Sequence, residues 1–199
     1  MKIRIKFAKE GTMKFIGHLA IMRYFQKVMR RADVDIRYSE GFSPHQIMSF
    51  AAPLGVGLES RGEYVDIEVL STDSSKEMLR RINENMVEGM QALSYKALPD
   101  DAGNAMSLVA AADYKVRFRE GYEPADLDAF FAGIPAFLEQ EEIVIVKKTK
   151  KGEREVDIRP QIYRMETRPD HMIFLQIATG SAANLKPDAV LRAYAESRG

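Results

Sequence analysis

Two hydrophobic periods alternate along this chain, and their order limits what it can fold into. Residues 2–8, KIRIKFA, set Ile3, Ile5 and Phe7 on one side and Lys2, Arg4 and Lys6 on the other. That period of two marks a half-buried strand. Over about 17–32 the period becomes helical: His18, Ile21, Met22, Phe25, Val28, Met29 and Ala32 share one face at about 100° per residue. A strand over 46–51, an alternating strand over 63–70, a helix over about 74–87 and a strand over 90–98 follow. The order βαββαβ is that of a ferredoxin-like, split βαβ unit.

A second round begins after the polar stretch PDDAGN at 99–104, the best domain boundary in the sequence. DYKVRFR at 113–119 repeats the first strand's alternation. Helical material covers about 124–140, with Pro124 suited to a first turn and with Gly133 and Pro135 splitting it. Strands are expected at 143–148, at 156–158 with Tyr163 as part of the return, and at 172–178, before a last helix from Pro187 to about Ser197. The expected class is α+β, as tandem ferredoxin-like (βαββαβ) units over 1–98 and 105–199, the second incomplete because no closing strand follows the last helix. Either that edge is open or a partner covers it.

Composition removes several functions. No cysteine is present, which excludes disulfides, thiolate zinc sites and an iron–sulfur cluster held by this chain alone. Three scattered histidines make no metal motif, so neither metal nor cofactor is expected. No apolar run approaches the ~20 residues of a membrane span, and the amino terminus lacks a signal-peptide core; a cytoplasmic protein without a membrane partner is expected. The net charge is zero but uneven. Residues 1–50 carry ten Lys/Arg against four Asp/Glu, 51–142 carry eight against eighteen, and 143–199 carry eleven against seven. Segment charge therefore allows a local basic patch that the overall balance hides.

The patch is clearest on the first helix. Arg23, Lys27, Arg30 and Arg31 lie opposite its apolar stripe with no acid among them. Surface helices usually place Glu or Asp four residues from such cations. Two readings stay open: a solvated face with ion partners on another element, and an anion-binding face suited to a nucleic-acid backbone. The following loop, with Gly41 and Pro44 as ordering residues, carries Tyr38, Phe42 and His45. Aromatic rings beside cations suit stacking on unpaired bases, or else both rings cap the core. A second basic cluster, Lys147, Lys148, Lys150 and Lys151, reads as a hairpin tip that either solubilises or touches phosphate. Lys2, Arg4 and Lys6 would share a sheet face with Tyr64, Asp66 and Glu68, where cross-strand ion pairs are the simpler account. His18, near the helix start, is either a general acid/base for phosphodiester chemistry or a hydrogen-bonded residue at the helix–sheet boundary. Asp157 and Arg159 either pair locally or face a ligand.

FIGHL at 15–19, RRA at 30–32, YSEGFSPH at 38–45, AAPLGVGLES at 51–60 and EVDIRP at 155–160 resemble the motifs of the radical S-adenosylmethionine-linked protein family of bacteria. Ala20 departs from it, since many relatives have Asp there. The resemblance implies an accessory module rather than an enzyme, binding substrate or docking beside a radical S-adenosylmethionine enzyme whose cluster this chain does not hold. That enzyme and RNA are the expected partners. The tandem arrangement with an early Gly17-His18 pair also resembles the CRISPR repeat-processing endoribonucleases, which cleave RNA without metal. Their glycine-rich loop near the carboxyl terminus is represented here only by Gly180 in ATGSAAN. A pure protein-docking module is the remaining alternative.

Overall fold

Strand β1 (Lys2–Lys9) is an inner strand of the sheet in the first half of the chain, paired along both edges. In this computed structural model residues 1–149 and 152–198 are described. They divide into two units, Met1–Val109 and Ala110–Gly199. Both mix short helices with antiparallel sheets.

In the first unit, β1 leads through a 3-10 turn (Gly11–Phe15) into α1 (His18–Arg31). Then come β2 (Met48–Phe50), β3 (Ser60–Glu68), α2 (Ser75–Glu84), β4 (Met90–Leu98) and a short α3 (Ala105–Leu108). The four strands form one sheet in the order β2-β3-β1-β4, antiparallel throughout. Ile3, Ile5 and Phe7 point from β1 into a core completed by Ile21, Phe25, Val28 and Met29 of α1 and by Met78 and Ile82 of α2. α2 starts where Ser74 Oγ accepts the Glu77 N–H at 3.3 Å, the expected N-cap bond.

The opposite sheet face carries one cross-strand ion pair, Arg4 with Asp66, while Glu68 goes to Arg37 and Lys6 lies over the Tyr64 ring. β1 and β3 align Lys2 with Glu68, Arg4 with Asp66 and Lys6 with Tyr64. Arg4 grips Asp66 with two bonds of 2.8 and 2.9 Å, and Asp66 also accepts the Ala105 N–H at 2.7 Å. Arg4 further donates to the Gly103 carbonyl at 3.0 Å. These bonds fasten the polar stretch 99–104 to the sheet, so the first unit continues through Val109. The turn chemistry of PDDAGN is real; it folds back instead of leading away.

The second unit holds β5 (Ala111–Val116), α4 (Leu127–Ala132), α5 (Ile134–Leu138), β6 (Val144–Thr149), β7 (Gly152–Asp157), a 3-10 turn (Arg159–Gln161), β8 (Ile162–Arg168), β9 (Met172–Ala178) and α6 (Pro187–Glu196). β5-β9-β8 form one antiparallel sheet and β6-β7 a separate hairpin. Its core gathers Ile158, Leu175, Ile177, Leu185, Val190 and Tyr194.

Three local expectations are corrected. α4 starts at Leu127, not near Pro124, because the Asp126 carboxylate caps it by accepting the Ala129 N–H at 2.9 Å. The hairpin's return strand ends at Asp157, whose Oδ1 accepts from the Ile143 and Arg159 amides at 2.9 Å each. Tyr163 instead belongs to β8, a strand hidden from periodicity because its register shifts between Ile162 and Arg164. The split at Gly133 is present: a Cβ there would come within 2.8 Å of the Tyr194 hydroxyl, which donates to the Phe130 carbonyl. No helix among the described residues is long and apolar enough to cross a membrane.

Candidate functional site

The outward face of α1 is built by what its inward face buries. Phe25 and Met29 are fully enclosed, which leaves Arg23, Lys27, Arg30 and Arg31 exposed along the other side. Elsewhere in the unit every arginine has an acid. Arg4 holds Asp66, Arg37 holds Glu68, Arg61 reaches Glu10, Arg80 holds Glu77 and Glu84, and Arg81 holds Asp73. Among the described residues no acid stands within ion-pair distance of the four α1 cations. The negative helix end accounts for Arg30 and Arg31, which sit in the last turn. It does not account for Arg23 and Lys27, which lie in mid-helix.

The loop after α1 is tightly closed. Isolated bridges join Ile36 to Val69 and Tyr38 to Gln46. The Ser39 amide donates to the His45 carbonyl at 2.8 Å, the His45 amide to Ser39 Oγ at 3.1 Å, and Ser39 Oγ lies 2.9 Å from His45 Nδ1. His45 thus works as the staple of the loop. Gly41 turns the chain at φ 105°. Neither ring of the loop enters the core: Phe42 at the tip is fully exposed and Tyr38 is 46% exposed. Between this loop and the end of α1 runs a cleft of about 550 Å³ lined by Arg30, Tyr38 and Gln46, with Asp33, Asp35, Asp73 and Arg81 around them.

At the start of α1 the arrangement differs. Lys9 is only 2% exposed, and its ammonium donates to the Ile16 carbonyl at 2.8 Å and to that of Lys14 at 3.5 Å. It braces the turn that has no side-chain cap of its own at Gly17. Beside it, His18 meets the Phe50 ring edge-on at 5.4 Å, and Glu63 completes the wall of a cavity of about 20 Å³. That is room for one water. Burial pushes the Lys9 amine down and the Glu63 carboxyl up, each pulled partly back by the other's charge. The segments on either side of this cavity carry exposed apolar side chains. Phe15, Leu19 and Val56 are 64–71% exposed, and the Gly57 amide ties the second segment to the first through the Lys14 carbonyl at 2.8 Å.

Two predictions follow from this corner. Lys9→Met leaves two carbonyls short of a donor, so denaturation should show a loss of about 1–3 kcal/mol. Glu63 gives a pH signature. Its carboxyl holds a proton more tightly folded than unfolded, so wild-type stability falls as pH rises from the ordinary 4.5 through the raised value. Glu63→Gln removes that slope, and the variant should gain on wild type across that window in urea denaturation followed against pH. Parallel curves would refute the burial of this carboxyl.

The other candidates lie in the second unit. Lys147 and Lys148 sit in β6, opposite Arg154 and Glu153, and Lys148 comes within 3.9 Å of Glu153. Lys150 and Lys151 lie outside the described residues. Asp157 and Arg159 resolve as local: Arg159 donates to the Leu138 carbonyl at 2.9 Å and to that of Ile162 at 3.3 Å, bracing the hairpin base. His171 occupies the β8–β9 turn with Asp170, both at positive φ. Among the described residues no three His, Asp or Glu converge as metal ligands would.

The motif segments FIGHL, YSEGFSPH and AAPLGVGLES thus converge on one unit, and the profile of a bacterial family matches the chain over residues 2–187. The chain belongs to that family, described as "Uncharacterized protein conserved in bacteria (DUF2344)". No curated protein matches it. Membership spans both units and assigns no reaction.

Proposed function

We propose that the chain is a non-catalytic module that holds RNA by its backbone and serves a radical S-adenosylmethionine enzyme. The observation that carries the RNA reading is the row Arg23, Lys27, Arg30 and Arg31, exposed and without an ion-pair partner among the described residues, in a unit whose other arginines are all paired. From 23 to 31 the row extends about 12 Å along the helix axis, a length of several nucleotides at ~3.4 Å of rise per strand. Tyr38, in the same cleft as Arg30, supplies a ring face for an unpaired base, and Phe42 offers a second at the exposed tip of its loop. The link to a radical enzyme rests on the sequence resemblance, and the exposed side chains of Phe15, Leu19 and Val56 suit a docking contact. They also favour the second reading, a pure docking module with no RNA affinity.

The fold reading that goes with this is a tandem of ferredoxin-like units. The order β2-β3-β1-β4 with two helices fits the first. The order β5-β9-β8 fits the second without its closing strand, with the hairpin β6-β7 as an insertion.

The test is RNA binding over a salt series. A single-stranded RNA should bind with a steep slope of log K against log salt. Arg30→Ala/Arg31→Ala should lower that slope by about 1.4, at ~0.7 per phosphate contact for single strands. The RNA should remain intact in chelator. Absence of binding at low salt moves the basic row to the docking column; cleavage in chelator that stops in His18→Ala replaces the reading with a nuclease.

A further inference from the structure

The cleft at the end of α1 contains a side chain that folding does not explain. Gln46 is 5% exposed. Its Nε2 donates to the Gln26 carbonyl at 3.2 Å and more weakly towards the Tyr38 hydroxyl at 3.5 Å. Its Oε1 has no partner. A buried acceptor left unmade costs about 1–3 kcal/mol, and a leucine or methionine of similar volume would fill the position without it. Such a group calls for a use outside the fold.

Its neighbours indicate that use. The cleft, at about 550 Å³, is of ligand size. Its acids are engaged: Asp35 accepts from the Ser71 hydroxyl at 2.7 Å, and Asp73 and Asp33 face Arg81 at 2.8 and 3.9 Å. Three aspartates against two arginines disfavour a phosphate inside the cleft. What they leave for a ligand is an acceptor in Gln46, a half-exposed ring in Tyr38 and the unpaired guanidinium of Arg30 at the rim. Those three suit an uncharged aromatic group that carries an amino donor and is attached to an anion.

We infer that the cleft is a nucleobase subsite for adenine or cytosine in the single strand held along α1. The base stacks on Tyr38 and its exocyclic amine donates to Gln46 Oε1, while Arg30 takes the adjoining phosphate. Tyr38 is the cover: its 3.5 Å contact to Gln46 is long for a hydrogen bond, and turning the ring uncovers the amide. Adenine and cytosine present an amino group where uracil and guanine present a carbonyl oxygen, which would face Oε1 acceptor to acceptor. The inference rests on the RNA reading and names the base that reading takes.

The experiment uses labelled decamers of adenylate, cytidylate and uridylate with the full chain at low salt. The adenylate or cytidylate decamer should bind about tenfold more tightly than the uridylate one. Gln46→Leu should abolish that preference while keeping the wild-type salt slope and a denaturation midpoint no lower than that of wild type. Equal binding of all three decamers with a steep slope overturns the subsite and leaves the backbone contact standing. A preference that survives in Gln46→Leu overturns it too. Failure of every decamer to bind overturns the RNA reading itself, and the subsite with it.

Discussion

Gly89→Ala should destabilise the first unit by about 2–5 kcal/mol, read as a lowered midpoint at unchanged slope in chemical denaturation. Gly89 sits at φ 84°, and a Cβ there would lie 2.6 Å from the Glu10 carbonyl oxygen and 3.1 Å from Met13 Cγ. The approach is set by the Glu10 amide, which donates to the Gly89 carbonyl at 2.8 Å, just before the turn that launches α1. Left-handed backbone costs an L-residue roughly 1–2 kcal/mol, and forcing a methyl into occupied space adds about 1–3. Gly41 separates the two effects. It too has positive φ, at 105°, but nothing lies within 4 Å of its Cβ position. Gly41→Ala should therefore show only the backbone part. Equal losses at the two sites would mean that the approach of Gly89 to Glu10 is not as close as described.

Much of the first unit was legible because its periods are clean. The α1 wheel separated Ile21, Phe25, Val28 and Met29 from the four cations, and burial follows the same division. The pairing of Lys2, Arg4 and Lys6 with Glu68, Asp66 and Tyr64 was legible from the strand order. What stayed hidden lies where a strand changes phase. Alternation along β1 puts Lys2, Arg4 and Lys6 on the outer face, but the register shifts near Phe7 against both neighbours. The shift buries Phe7, Ala8 and Lys9 in succession, so nothing in the sequence marks Lys9 as an interior brace. The same kind of shift concealed β8. Gln46 was hidden for another reason: a polar residue before Ile47-Met48-Ser49-Phe50 reads as the edge of a strand, and only the fold places it beneath Tyr38. Turn residues at 99–104 signal a change of direction, while the bonds of Gly103 and Ala105 to Arg4 and Asp66, which no local pattern reveals, decide where the chain goes next.

Converting Arg23, Lys27, Arg30 and Arg31 together to glutamine should lower the salt slope for single-stranded RNA by about 3, four contacts at ~0.7 each. At 50 mM salt that corresponds to an affinity loss on the order of a thousandfold. Glutamine keeps the length of the side chains and good helix propensity. The buried face of α1 is untouched, so the denaturation midpoint should move little beyond the few tenths to 1 kcal/mol per cation lost from the helix end at Arg30 and Arg31. The comparison is Lys147→Gln/Lys148→Gln. Lys148 already has Glu153 within 3.9 Å, and both lysines stand on a two-stranded hairpin, a marginal scaffold for holding a charge in place. The α1 cations stand on a helix whose opposite side is locked by Phe25, Val28 and Met29, each at most 1% exposed. A fixed row of charges loses less conformational entropy on meeting a phosphate chain than a pair on a hairpin does. The slope should therefore drop in the α1 variant and hold in the hairpin variant. The reverse pattern would transfer the phosphate contacts to the hairpin and remove α1 from the binding site.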